Sequence, residues 1–149
     1  MCIRDSNGTV PADDIIDMKW KSGAITSNAG WQTNGLHSIG YTAGAGGAVT
    51  QATSRTTGVT LNAPAGRVTL VSAAGSTTPA KFTLTNSLIG LNDTIIVNVK
   101  NTGTQANVYD CTVNKPTAAG SVDIWFWSIS GTAVDVFAID FTIIGGATA

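Results

Sequence analysis

The sequence predicts an all-β fold: an antiparallel, jelly-roll-like β-sandwich of about eight strands behind an irregular, glycine-rich N-terminal arm. Three observations predict it. Thr is the commonest residue and Glu is absent, so strong helix formers are scarce while residues that suit a pleated, half-buried surface abound. From Ala48 onward, short runs rich in Val, Ile, Thr and aromatics recur at about 8–12-residue spacing, with turn residues between them. Several of these runs alternate apolar and polar residues with a period of two.

Taken in order, residues 1–47 form the arm and its hinge, and 48–149 form the sandwich. The opening string MCIRDS fits nothing after it, resembles a spurious leader on reading frames assembled from environmental DNA, and is set aside as foreign to the fold. Pro11 with Asp13 and Asp14 behind it could start a short helix. The same stretch, PADDIIDMKWKSG, also reads as an arm with one short strand, which is preferred. The strands follow as AVTQAT (48–53), TGVTLN (57–62), GRVTLVS (66–72), AKFTLTNS (80–87), TIIVNVK (94–100), ANVYDCTVN (106–114), SVDIWFWSIS (121–130) and AVDVFAIDFTII (133–144). Between them APAG, AAGSTTP, GLND, NTGTQ, KPTAAG and SGT supply turn chemistry. Phe82 and Leu84 share one strand face; Val122, Ile124 and Phe126 share another, with Asp123, Trp125 and Trp127 opposite. In the last run Phe137, Ile139, Phe141 and Ile143 line up together.

Composition narrows the function. The chain of 149 residues is the size of one ordinary domain, and only 11% of it is charged, against about 25% in typical soluble domains. Three Arg and five Lys in a net charge of −1 leave no electrostatic footprint for nucleic acid. There is no apolar run of about 18 residues to cross a membrane and no signal-peptide pattern. Cys2 and Cys111 make no disulfide framework.

No catalytic, cofactor-binding or metal-binding set stands out. Gly44-Ala45-Gly46 begins a dinucleotide fingerprint, but Val49 occupies the third glycine's place and a Thr-rich strand follows where a helix is required. The glycine-rich stretch at 40–47 therefore reads as a hinge. His37 is the sole histidine, in a Gly-flanked loop, which leaves triads and zinc sites without partners. Asp123 and Asp135 could face one another across a hairpin, although hairpin carboxylates are usually solvated. The expected protein is not an enzyme.

The four tryptophans carry more. Trp20 and Trp31 stand in the arm, and Trp125 and Trp127 on the strand face opposite Val122, Ile124 and Phe126. Either that strand is buried on both sides between layers, or the two indoles anchor a subunit or docking contact, a role for which aromatics are favoured.

The block IGYTAGAGGAVTQATSRTTGVTLNAPAGRVTL, with KFTLTNSLIGLNDTIIVNV and the closing AIDFTIIGGATA, resembles a domain of structural proteins of tailed bacteriophages. The resemblance runs over residues 38–149, with the entry motif the distinctive part. Members of that family often carry Lys where Arg55 and Ala63 stand, and their penultimate strand is less aromatic than DIWFWSIS. The resemblance implies a virion component on the capsid surface, made in the host cytoplasm: a capsid decoration or cement protein or a head fibre. It implies the major capsid protein or other virion proteins as partners, and a homotrimer. Trp20, Trp31, Trp125 and Trp127 are then the expected capsid or subunit contacts. The alternative is a glycan-recognising, receptor-binding tip of a tail fibre, with Tyr109 and the paired tryptophans stacking on sugar rings.

Overall fold

The computed structural model describes residues 41, 44–103 and 105–146, all within one compact unit of the chain, Ile39–Ala149. Trp20, Trp31, His37 and the leader lie outside the described residues. The described chain is all-β, with ten strands: β1 (Gly46–Thr50), β2 (Val59–Thr60), β3 (Ala65–Thr69), β4 (Ala73–Ala74), β5 (Ala80–Thr85), β6 (Thr94–Asn101), β7 (Val108–Val113), β8 (Ser121–Ser130), β9 (Val134–Asp135) and β10 (Phe137–Ile144). Sheet A has the order β1-β3-β10-β6, sheet B has β2-β5-β8-β7, and β4 pairs with β9 in a small third sheet.

The period-two pattern explains how the layers meet. Val68, Ile95, Phe137, Ile139, Phe141 and Ile143 from sheet A and Phe82, Leu84, Tyr109, Val122, Ile124 and Phe126 from sheet B are buried in one cluster. Phe126 of sheet B meets Phe137 of sheet A edge-on, with ring centroids 5.9 Å apart. At roughly 1.5–3 kcal/mol for each fully buried large apolar side chain, this shared interior is the main source of stability.

Two sequence expectations need correction. The sheets are mixed, not purely antiparallel: β1 pairs with β3 in parallel, with Val49 opposite Val68, and β2 pairs with β5 in parallel, with Val59 opposite Leu84. The path explains this, because the chain passes from sheet A through β2 in sheet B and back to β3. Each crossing between facing layers reverses the direction of travel, and two reversals leave neighbouring strands parallel. Secondly, the run at 133–144 is two strands, and its first part pairs with β4 inside the expected AAGSTTP turn, Ala73 opposite Asp135. The break falls at Val136, just after Asp135, whose carbonyl and carboxylate both accept from Arg55.

The glycine-rich stretch is also more than a hinge, since Gly46 and Gly47 open β1. A Cβ on Gly47 or on Gly66 of β3 would sit 2.7 Å from a methyl of Leu61, so both positions stay bare to let that side chain in between the strands. Of the expected turns, NTGTQ, KPTAAG and SGT each hold a glycine with positive φ, at Gly103, Gly120 and Gly131.

Candidate functional site

The outer face of sheet B is set by β8. Its alternation sends Val122, Ile124, Phe126 and Ser128 into the core and leaves Asp123, Trp125 and Trp127 half-buried on the opposite side. A strand buried on both sides would seal those three residues as well, so among the described residues β8 has one core face and one outer face. The register fixes their neighbours. Trp125 lies between Lys81 of β5 and Thr112 of β7; Trp127 is opposite Asp110, and Asp123 is opposite Thr83.

Side-chain contacts tie this row together. Lys81 Nζ donates to Asp123 Oδ2 at 2.6 Å and lies 5.4 Å from the centre of the Trp125 ring, within cation–π range. Thr83 Oγ1 donates to Asp123 Oδ1 at 2.8 Å. The hydrogen bond from Lys81, and then that from Thr83, hold the Asp123 carboxyl below the usual carboxylate range. The Trp125 Nε1–H is buried and has no hydrogen-bond partner. On β7 the Asp110 carboxylate accepts the backbone N–H of Cys111.

Tyr109 is not part of this face. It points inward from β7, is only 6% exposed, and stacks on Phe137 with centroids 3.9 Å apart and planes 16° from parallel. Its expected role as a glycan contact is therefore corrected: the ring belongs to the core. Its hydroxyl accepts from Arg55 Nη1 at 2.8 Å and from Asn107 Nδ2 at 3.1 Å, and donates to Asp135 Oδ1 at 2.6 Å. That uses the whole capacity of a phenol, one donor and two lone pairs.

Asp135 and Arg55 complete a sealed cluster. The Asp135 side chain is fully buried; Oδ1 accepts from Arg55 Nη2 at 3.0 Å and Oδ2 accepts the N–H groups of Ala106 and Asn107, each at 2.9 Å. Burial works to raise the Asp135 pKa, but the hydrogen bonds from Tyr109, Asn107, Arg55 and Ala106 outweigh it and leave the carboxyl below its ordinary value. The Tyr109 phenol is raised, first by burial and then by its bond to Asp135. Arg55 spends its other donors on the carbonyls of Val71, Ala73, Ala74 and Asp135. Gln51 closes the loop that carries Arg55 by donating to the Arg55 and Thr57 carbonyls. The cluster holds together the loop before β2, the β4–β9 pair and β7.

Thus Asp123 and Asp135 do not form a carboxylate pair: one is engaged on the outer face of sheet B, the other inside the core. Asp140 makes a third arrangement, an exposed ion pair with Arg67 on sheet A at 2.7 Å.

Comparison with protein-family models, curated proteins and solved structures finds no match for this chain. Function has to be argued from the two polar–aromatic groups themselves. One is closed to solvent with its hydrogen bonds used internally, which suits a fastening. The other lies on the surface with two indoles, a lysine and two carboxylates in a row, which suits recognition. Sequence reasoning found Trp125 and Trp127 but missed Arg55, Asn107 and Gln51 as buried polar residues. The only available signal was an arginine in a charge-poor, Thr-rich connection between two strands.

Proposed function

We propose that this protein is a non-enzymatic structural component of a tailed-phage virion, of the capsid decoration, cement or head-fibre kind. The body is a β-sandwich of jelly-roll character that lies on the particle surface, and the working unit is a homotrimer. The observation that carries the reading is the outer face of β8, where two half-buried indoles meet solvent beside charged and hydroxyl groups. An indole pair kept at the surface of a body whose core already closes around Phe82, Phe126 and Phe137 is there for a partner outside the chain. The resemblance of residues 38–149 to phage structural proteins gives that partner a setting. In this reading Trp20 and Trp31 of the arm and Trp125 and Trp127 of β8 contact the shell or a neighbouring subunit.

Particle composition tests this. The full chain is expected in purified virions, and a chain lacking residues 1–40 is expected to fold but to be missing from them. Full-length protein absent from washed particles, or full occupancy by the truncated chain, overturns the assignment.

A further inference from the structure

We propose that the open edge of β1 is a contact between two copies of this chain, in which β1 pairs antiparallel with β1 of a second copy across a twofold axis at Ala48. The contact goes beyond the virion reading, uses none of the tryptophans and does not depend on that reading.

The first argument is which backbone groups are left over. β1 lies at the margin of sheet A, with β3 on one side of it. Along a strand, every second residue turns its N–H and C=O to the same neighbour. Gln51, the residue after β1, donates its N–H to the Thr69 carbonyl of β3, so Val49 and Gly47 face β3 as well. Gly46, Ala48 and Thr50 therefore direct their N–H and C=O groups away from the sheet. All three are exposed, and none of the described residues bonds them on that side.

The second argument is contrast. Of the four margins of sheets A and B, three are defended. β2 is only two residues long. β7 is bulged between Val108 and Tyr109, and the Asp110 carboxylate takes the N–H of Cys111. β6 carries an exposed Lys100, and its Val99 N–H is directed at the Cys111 thiol of β7. β1 reads GGAVT, without charge, proline or bulge. An edge left in that state is a template for another strand.

Third, this edge fits itself. The outward residues are placed evenly about Ala48, so a twofold axis there sets each N–H against a carbonyl. Ala48 meets Ala48, and Gly46 meets Thr50 of the second copy. Gly46 borders an open trough of about 570 Å³, lined also by Ala48, Ala65, Arg67 and Thr142, and its bare Cα leaves room there for that threonine. Half-buried Val49 comes opposite Gly47 of the second copy, which carries the apolar inner face of sheet A across the axis. No like charges meet, because Arg67, opposite Ala48 on β3, is already held by both oxygens of Asp140. A foreign strand is selected by pockets for its alternate side chains, and here the trough is wide open and its arginine is engaged. The fitting occupant is a second copy.

Sedimentation velocity of the full chain at rising concentration should show association to an even number of chains: two, or two trimers where other surfaces hold the trimer. Hydrogen exchange followed by NMR reads the contact without a variant. The amides of Gly46, Ala48 and Thr50 should gain protection as the chain associates, while those of Gly47 and Val49 are protected throughout. Ala48→Pro removes an N–H that β3 does not use, at an edge position that tolerates proline, and should weaken association at least about tenfold with an unchanged circular dichroism spectrum. Ala48→Lys sets like charges face to face and should do the same, less strongly in high salt. A chain that stays single, an odd number of chains throughout, or unchanged association in Ala48→Pro overturns the proposal. Protection of Gly46, Ala48 and Thr50 at every concentration overturns it too, and means that the edge is covered within the chain or by a foreign strand. Association that leaves those amides exposed also overturns it, and assigns the contact to another surface. None of these outcomes bears on whether the protein is found in particles, so the two readings fail separately.

Discussion

The molecule assembles a cation, a carboxylate and aromatic rings twice, with opposite consequences. Arg55 lies 5.3 Å from the Tyr109 ring and 5.0 Å from the Phe137 ring and is paired with Asp135. Lys81 lies 5.4 Å from Trp125 and is paired with Asp123. The first set is sealed, with side chains 8% and 0% exposed; the second is open, at 50% and 34%. Residue type therefore does not assign a role here. Arginine's planar fork and five donors let it satisfy several carbonyls at once without water, while lysine's single mobile ammonium stays hydrated and free to exchange partners. The sealed set fastens loops; the open one can meet a ligand.

The sharpest way to break this comparison is to remove each cation. Arg55→Ala leaves Asp135 charged, buried and without its ion-pair partner, and should cost about 3–5 kcal/mol in urea unfolding followed by circular dichroism. A loss below about 1 kcal/mol would mean that water repairs the cluster and that it is not a fastening.

Acid provides the next largest separation. The folded pKa of Asp135 is depressed, so its stabilisation is present above the unfolded value of about 3.9 and is lost as pH falls through the lower folded value. Asp123 is shifted the same way, but its partners are open to solvent and salt. Stability should hold from neutrality to about pH 4 and then fall. Asp135→Asn should be less stable at pH 7 and show a flatter acid limb. An acid limb unchanged in Asp135→Asn would place the titrating group elsewhere.

The smallest effect belongs to Lys81. Lys81→Ala should change stability by less than about 1 kcal/mol, because an exposed pair gains little over its hydrated state. A cost comparable to that of Arg55→Ala would erase the distinction between the two sets.

How far the sequence could be read follows from the range of each interaction. Strands β5, β6, β8 and β10 were legible because alternation is a local property, and it put Trp125 and Trp127 on one face but left open whether that face is outward or covered by a second layer. Tyr109 was misread although its signal was present: it shares strand parity with Val113 and Cys111, while Asp110 and Thr112 take the other side. The parallel pairs were not legible, since nothing in VT at 59–60 says that its neighbour lies 25 residues on at Leu84–Thr85 instead of across a short turn. The Arg55–Asp135 pair spans 80 residues, and only the folded path brings it together.

One further consequence comes from the position of β10. It follows every other strand along the chain, yet it stands in the middle of sheet A, paired with β3 through Val68–Ile139 and with β6 through Val99–Ile139. During synthesis, then, β3 and β6 emerge long before the strand that joins them, each with an apolar face and an open edge. Sheet B is complete by Ser130 and can pair first; sheet A waits for Phe137 onward. A ribosome stalled before Phe137 holds β3 and β6 without the strand that joins them, so sheet A forms only once residues 137–144 have been made. Fast elongation through β10 protects the nascent chain, and pausing before it exposes the open edges to aggregation.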